Sequence, residues 1–444
     1  MRYQANLQTM KSPTGFHITG KLARSIAGLT ILAAVTVLPG CATYSSSFAK
    51  VENAAANRDL DGAIKSLDEL KLSGADLALH HLNKGSLLRM QGKFAESNKH
   101  FDVAKSMAEK LNAISVTEQA ASVAVNDTLK AYEGLPSEQL MIYSYEALNY
   151  LQLNEADAAA VEARQFDVKQ GLIAKKYPNA KYLSGAFVRY LNGMVYEAVG
   201  ERDSARIEME KAVEGYKAQN SGFPVPQALL ADVTRLKANK PAASGEVVFI
   251  LQNGLGPSLV ENNIRIVNPN PQNGSALLSL AVPKFAKRSV PVARVELRAN
   301  SNSASTEVVE DVNSIAEKSL SDRLPAIIAR GVARLVVKNA AAKETKKNSS
   351  KLGAYGFLAD IAVDVGTAAS ERADTRTWSL LPGQINMARL ALPAGTHTVT
   401  ATYFSASGGV LATREYKDIT VKTGQKSFVS DYFMNPPAPP KAPQ

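Results

Sequence analysis

The sequence predicts a mostly α N-terminal half, a tetratricopeptide-like helical repeat array, followed by an α+β domain. Three observations carry that prediction. Apolar and alanine positions recur at spacings of three and four from Ala49 to about Lys237, with few β-branched runs. After Ala238-Asn239-Lys240-Pro241 the texture changes to β-type runs and period-two alternation. A block of small and aromatic residues (Gly85, Leu88, Gly92, Phe94, Ser97, Phe101, Ala104) returns further along the chain.

Residues 1–40 read as a signal peptide. Arg2, Lys11, Lys21 and Arg24 precede an apolar run from Ser25 to Leu38, and no acid is present. That run is shorter than the ~20 residues a membrane-spanning helix needs. Leu38-Pro39-Gly40-Cys41 resembles the lipobox of bacterial lipoproteins, although Pro39 is a less usual residue there. The resemblance implies that the Cys41 sulfur takes a diacylglyceryl group and that cleavage leaves Cys41 at the mature N-terminus. Cys41 is the only cysteine among 444 residues, so no disulfide can brace the folded part. A free thiol would be a liability in an oxidising exported compartment, and lipidation consumes it. Two or three acyl chains make a stable anchor where one is marginal. Ala42 favours the outer membrane by the same resemblance, and residues 41–50 read as a short lipidated tether. Translation starts at Met1 or, since the basic region is long, at Met10.

The chain carries a net charge of +10; without the four cations of residues 1–40 it carries 47 basic and 41 acidic residues, a net +6. Export excludes nucleic acid as the partner of that charge. Anionic lipid headgroups, wall polymers or a plainly solvated surface account for it.

Residues 51–237 form the helical domain. In the block from Gly85 to Ala104 each position has a mechanical purpose: small residues let two antiparallel helices approach, aromatic residues fill the groove, and Gly92 sits in the turn. The spacing returns with Gly193, Tyr196, Gly200, Ala205, Met209 and Ala212. It returns more weakly with Ala147, Tyr150, Ala156, Ala159, Ala163 and Phe166, and with Leu60, Ala63, Leu67 and Leu70. A generic bundle of helical hairpins is the plainer reading of the same pattern. A solenoid face commonly binds a peptide or partner domain.

Residues 245–433 form the α+β domain. Val247 to Leu251 is a continuous β-type run, and Val295 and Leu297 alternate with Arg294, Glu296 and Arg298. An amphipathic helix is expected over Ser321–Lys338, with Pro325 in its first turn and Arg330, Arg334 and Lys338 on its polar face. Lys343–Lys351 reads as a basic loop and Tyr355–Ala369 as a second buried helix. A β section closes the domain, and residues 434–444 form a Pro-rich disordered tail.

Candidate chemistry is sparse. His80 and His81 are adjacent on a helix and point about 100° apart, so they do not share a metal readily. No metal ligand set, cofactor motif or catalytic residue is assigned. Gly254 and Gly256 lack the lysine and further glycines of a phosphate loop and read as a turn. A Ser–His–acid site would have to use His397 or the repeat histidines, and no nucleophile elbow precedes a helix. Arg372, Asp374, Arg376 and Trp378, the sole tryptophan, form the candidate interaction cluster. Arg–Trp clusters have the composition of binding hot spots, and buried structural lattices share it.

Four stretches carry a wider resemblance: Tyr143 to Arg164, Gly245 to Pro257, Arg323 to Arg334 and Trp378 to His397. With the lipobox they resemble a family of uncharacterised bacterial lipoproteins with N-terminal tetratricopeptide-like repeats and a C-terminal α+β domain. Members are often encoded near a lipoprotein that activates penicillin-binding proteins. The resemblance supplies no catalytic residues. It implies a periplasm-facing, outer-membrane lipoprotein that acts as a non-catalytic scaffold for protein partners in the cell envelope. An accessory role in peptidoglycan synthesis is a narrower form of that expectation. An envelope hydrolase with its site in the C-terminal domain is the alternative from another class.

Overall fold

The computed structural model describes residues 44–70, 72, 74–118, 130–219, 223–267, 277–286, 288–349 and 372–434. Cys41, the signal, the Tyr355–Ala369 segment and the tail from Asn435 lie outside the described residues. The fold is mixed α and β. Nine helices come first: α1 (Tyr44–Ala56), α2 (Leu60–Asp68), α3 (Leu77–Met90), α4 (Phe94–Glu118), α5 (Pro136–Gln152), α6 (Ala156–Lys176), α7 (Ala186–Ala198), α8 (Arg202–Gln219) and α9 (Gln227–Lys237).

The first eight pair as four helical hairpins, and their turns are equivalent. Arg58, Gly92, Asn154 and Gly200 each adopt positive φ, between 60° and 82°. In each turn the next N–H reaches back five residues: Asp59 to Ala54, Lys93 to Leu88, Glu155 to Tyr150 and Glu201 to Tyr196, at 2.8–2.9 Å. This is the Schellman closure, which satisfies a carbonyl left open at a helix end. Glycine adopts that backbone without steric cost, and asparagine tolerates it. The helix crossings also repeat. A Cβ on Gly85 would come within 2.6 Å of the Phe101 ring, and one on Gly193 would overlap Met209. Ala147 and Ala163 hold the corresponding places in the third hairpin and are buried. The repeat spacing therefore marks real crossings.

The strands follow: β1 (Gly245–Asn253), β2 (Ser258–Val267), β3 (Leu277–Ala286), β4 (Arg294–Ala299), β5 (Asn302–Ser305), β6 (Glu307–Glu310), β7 (Gln384–Leu392), β8 (Gly395–Phe404), β9 (Val410–Val421) and β10 (Lys426–Phe433). One four-stranded sheet has the order β10-β1-β7-β6, with β1 and β10 parallel. A second has the order β5-β4-β8-β9, and β2 and β3 form a separate two-stranded ribbon. Val247, Phe249 and Leu251 of β1 pack into the core between the two sheets with Val295, Leu297 and Tyr403. Val248 and Ile250 face the helical core instead. Burial on both faces explains why β1 reads as a continuous apolar run. The first sheet is thus the middle layer between the hairpins and the second sheet.

The last helix of the array ends at Lys237 and β1 begins at Gly245, where the sequence texture changes. The two segments nevertheless share one core, in which Leu79, Phe101, Tyr145 and Tyr190 pack with Val248, Trp378 and Met387. Several local expectations need correction. The tether is already helical from Tyr44, and Phe48 is fully buried. The C-terminal helix, α10, runs from Val312 to Ser349, so Pro325 lies inside it and Lys343–Ser349 is helical. Its apolar face packs on the ribbon through Leu324, Ile328, Val332 and Leu335. Arg334, expected on the polar face, is buried. Met434, assigned to the tail, is buried with Phe48 and Tyr432.

Candidate functional site

The Arg372–Trp378 cluster lies on an extended strap, residues 372–382, that crosses the hairpins before β7. Trp378 is 1% exposed and stacks edge-on against Tyr145, with Phe101 beside it. Its Nε1 donates to Ser86 Oγ at 2.9 Å. Glu138 at the start of α5 organises the strap: its Oε1 accepts from the Trp378 N–H and the Thr377 hydroxyl, both at 2.8 Å. Its Oε2 accepts from the Leu135 N–H at 2.8 Å and from the Tyr132 hydroxyl. Arg376 donates to both oxygens of Asp374, to Asp76 at 3.1 Å and to the Lys130 carbonyl at 2.8 Å. Burial works against its charge, but Asp374 and Asp76 outweigh that and raise its pKa. Arg372 is half-buried. Three of the four cluster residues are therefore engaged within the chain, and the candidate interaction cluster is an internal clamp.

A polar seam continues that contact along the middle sheet. Arg389 of β7 donates to Glu246 at 2.6 and 2.7 Å, to Tyr190 Oη at 2.8 Å and to Asp232. Lys426 of β10 meets Glu197 at 2.6 Å, and Arg235 shares that carboxylate at 2.6 Å. Tyr216 donates to the Val309 carbonyl at 2.8 Å. A cavity of about 30 Å³ remains between Glu138, Glu310, Val312 and Trp378, room for a water or two. Burial pushes the Glu310 carboxyl up to about 8. The first helices of the last three hairpins, α3, α5 and α7, thus face the chain's own C-terminal half. The inner face of these hairpins is covered by the chain itself.

An open cleft of about 280 Å³ lies between the C-terminal end of α6 and α8. Arg189 of α7 lies in its floor and donates to Glu208 at 2.9–3.0 Å, Asp167 at 3.0 Å, Gln170 at 2.7 Å and the Ser184 carbonyl at 3.2 Å. Lys211 joins Glu208 at 2.8 Å and Asp167 at 3.3 Å, so this lattice is neutral. Although burial opposes it, Arg189 and Lys211 hold the Asp167 carboxyl below its ordinary range. Ser184 Oγ is buried without a hydrogen-bond partner among the described residues. Lys181, Tyr177, Pro178 and Glu214 complete the wall. The cleft offers polar and ionic recognition.

Two clusters escaped the sequence reading. His81 and His100 face each other across the second hairpin with their Nδ1 atoms 2.8 Å apart, and His80 stands edge-on to His81. Burial, then the neighbouring His100, His80 and Lys84 charges, push His81 down to about 4. Lys105 of α4 joins Glu146 at 2.7 Å and Glu162 at 2.9 Å, linking three helices. Gly92 as the turn, eleven residues after His81 and eight before His100, would have placed the two histidines within about one helical turn of each other across the hairpin. No comparable signal pairs Lys105 with Glu162. His397 is half-buried on β8, 2.8 Å from the Pro393 carbonyl.

No family model, no curated protein and no solved structure matches this chain.

Proposed function

We propose that this chain is a lipid-anchored, periplasm-facing lipoprotein of the bacterial outer membrane that holds other envelope proteins and performs no catalysis itself. The observation that supports it most is where the folded body begins. Helix α1 starts at Tyr44 and buries Phe48, while the lipobox cysteine is Cys41. Only Ala42 and Thr43 intervene, so covalent reach alone limits the Cys41 Cα to about 11 Å from the Tyr44 Cα. Lipid on the Cys41 sulfur would hold the hairpins directly at a membrane rather than on a long leash.

In this reading the four hairpins are tetratricopeptide-like repeats, supported by their equivalent turns and small-residue crossings. The C-terminal half fills the inner face and stiffens the array. The outward face of α6, which exposes Val161 and Val168, remains for a protein partner. Metabolic labelling of cells with a palmitate analogue tests the anchor. Wild-type chain should take up label, and Cys41→Ser should not and should leave the membrane fraction. Equal label on both would end the lipoprotein reading.

A further inference from the structure

The hairpin geometry fixes which edge of the array the anchor belongs to. Side-chain contacts set each helix direction in turn. Lys50 meets Glu69 at 3.7 Å, so α1 and α2 run antiparallel. Asp61 meets Gln91 and Asp68 meets Lys84, both at 2.8 Å, so α3 runs antiparallel to α2 and parallel to α1. Asn98 meets Asn149 at 2.7 Å and Lys105 meets Glu146, so α5 keeps the direction of α3. Asp167 meets Arg189 and Arg164 meets Glu201, so α7 keeps it too. One edge therefore carries the starts of α1, α3, α5 and α7 together with the ends of α2, α4, α6 and α8. The turns at Arg58, Gly92, Asn154 and Gly200 form the opposite edge. Tyr44, three residues after Cys41 in the sequence, belongs to the first edge.

The end of α6 belongs to that same edge, and its chemistry is unlike a solvated helix end. Lys175 and Lys176 close its last turn, and Lys181 follows in the next turn of chain. All three are exposed, and none has an ion-pair partner among the described residues. Leu172, 61% exposed, sits one turn before them on the same side of the helix. Tyr177 lies under the Lys176 ammonium at 5.5 Å. The nearby acids are only partly available: Asp167 is committed to Arg189 and Lys211, and Glu109 and Glu133 act electrostatically on Lys169. Glu214 on the cleft wall is the remaining opposing charge.

We infer that Leu172, Lys175, Lys176 and Lys181 form a second membrane contact, which seats the edge bearing Tyr44 on an anionic phospholipid surface. Exposed cations beside an aromatic and a large aliphatic side chain are what an anionic interface attracts. Two contacts on one edge fix the orientation of the array: the turn edge points away from the bilayer, and the outward face of α6 stands beside it. The inference rests on the anchored reading for its biological setting, but the surface chemistry is measurable without the anchor.

The test uses the mature chain from Ala42, made without lipid; every described contact lies between Tyr44 and Met434. It should cosediment with vesicles of phosphatidylethanolamine and phosphatidylglycerol, and much less with phosphatidylcholine vesicles. Each lysine near such a surface is worth roughly fivefold, so Lys175→Glu, Lys176→Glu and Lys181→Glu together should weaken binding by at least about tenfold. Lys93→Glu with Lys240→Glu, on the turn edge, should leave it within about twofold. Leu172→Trp should show a blue-shifted emission on vesicle addition and quenching by brominated lipid, against a Trp378 background that is buried and constant. Absence of binding to anionic vesicles, equal losses from the two edges, or an unquenched Leu172→Trp would each overturn the inference. If Cys41 proves unlabelled in cells while the vesicle pattern holds, the anchor fails and the surface stands; the reverse result separates them equally.

Discussion

Helices α5 and α6 belong to one hairpin and share the turn at Asn154, yet they end up in opposite environments. Twelve consecutive residues of α5, Glu138 to Asn149, are buried. Helix α6 buries one stripe and leaves Val161, Val168 and Leu172 in solvent. An isolated antiparallel pair would give both helices one wet face. The difference measures what the C-terminal half does: its strap and middle sheet cover the inner face of the array and leave the outer face alone. The two halves of the chain therefore share one core, and the outer face of α6 is left exposed.

The sharpest way to break that comparison is to remove the residue that fastens the strap to α3, α4 and α5. Trp378→Ala should destabilise the protein by about 3–5 kcal/mol, the usual cost of truncating a fully buried large aromatic. Because helices and sheets share that core, the loss should appear in one cooperative transition, followed by far-ultraviolet circular dichroism and tyrosine fluorescence together. Two separated transitions would mean that the halves unfold independently. Proteolysis should agree. A cut within Ala238–Ser244 should leave two fragments that still elute together, since the seam of Arg389, Asp232, Glu197 and Lys426 spans the cut.

The covered face also buries acids and bases, and these give stability a pH signature. Glu310 titrates near 8 in the folded chain and in the mid-4s, its ordinary value, when unfolded. Between those values the native state holds the extra proton, so stability falls as pH rises from the mid-4s to about 8. His81 works in the other direction. Its folded value of about 4 lies below the ordinary 6.5, so stability falls as pH drops from 6.5 toward 4. Urea midpoints for Glu310→Gln should exceed wild type at pH 8 by more than at pH 5. Equal differences at the two pH values would show that Glu310 does not titrate in this range.

The repeats themselves can be compared next. Gly85→Ala would press a Cβ into the Phe101 ring, which is rigid, stacked on Trp378 and Tyr145 and unable to retreat. A cost of about 1–3 kcal/mol is expected, less the ~0.5–1 kcal/mol that alanine gains in a helix. Gly193→Ala meets chiefly Met209 instead, a side chain with three rotatable bonds that adapts more readily, with the Ala205 carbonyl oxygen at 3.2 Å, a tight but less severe approach. It should cost less than Gly85→Ala in the same thermal melts. The opposite order would mean that the second hairpin relaxes and the fourth does not.

These residues also mark how much the sequence disclosed. Gly85, Phe101, Gly193 and Met209 were legible because helical periodicity records crossings within a hairpin, which are local. The boundary near Lys237 was legible because burial on both faces of β1 changes the residue types themselves. The strap was not. Thr375 to Leu381 has no period, and its partners Ser86 and Glu138 lie more than two hundred residues away. Pro325 misled because a proline suits the first turn of a helix, whereas here the helix continues on either side of it. Phe48 misled because three serines before it resemble a linker, and only its contact with Tyr432 and Met434 shows why helix forms there.

The smallest expected effect tests the exposed side of the comparison. Val168 is 69% exposed on α6, and no core cluster includes it. Surface substitutions away from caps, charges and packing usually stay within ±0.5 kcal/mol. Val168→Thr keeps the β-branch and nearly the same volume while replacing a methyl with a hydroxyl. Its hydroxyl would be solvated at this position, so no buried polar group is created. The melting curve should therefore overlay wild type. Ile142→Thr, the same kind of exchange on the covered helix of that hairpin, places a hydroxyl inside the array at a 3% exposed position and also removes a methyl group, at about 1–3 kcal/mol. If the two substitutions cost the same, the outer face of α6 is covered in solution, and the one-sided array argued from α5 and α6 is wrong.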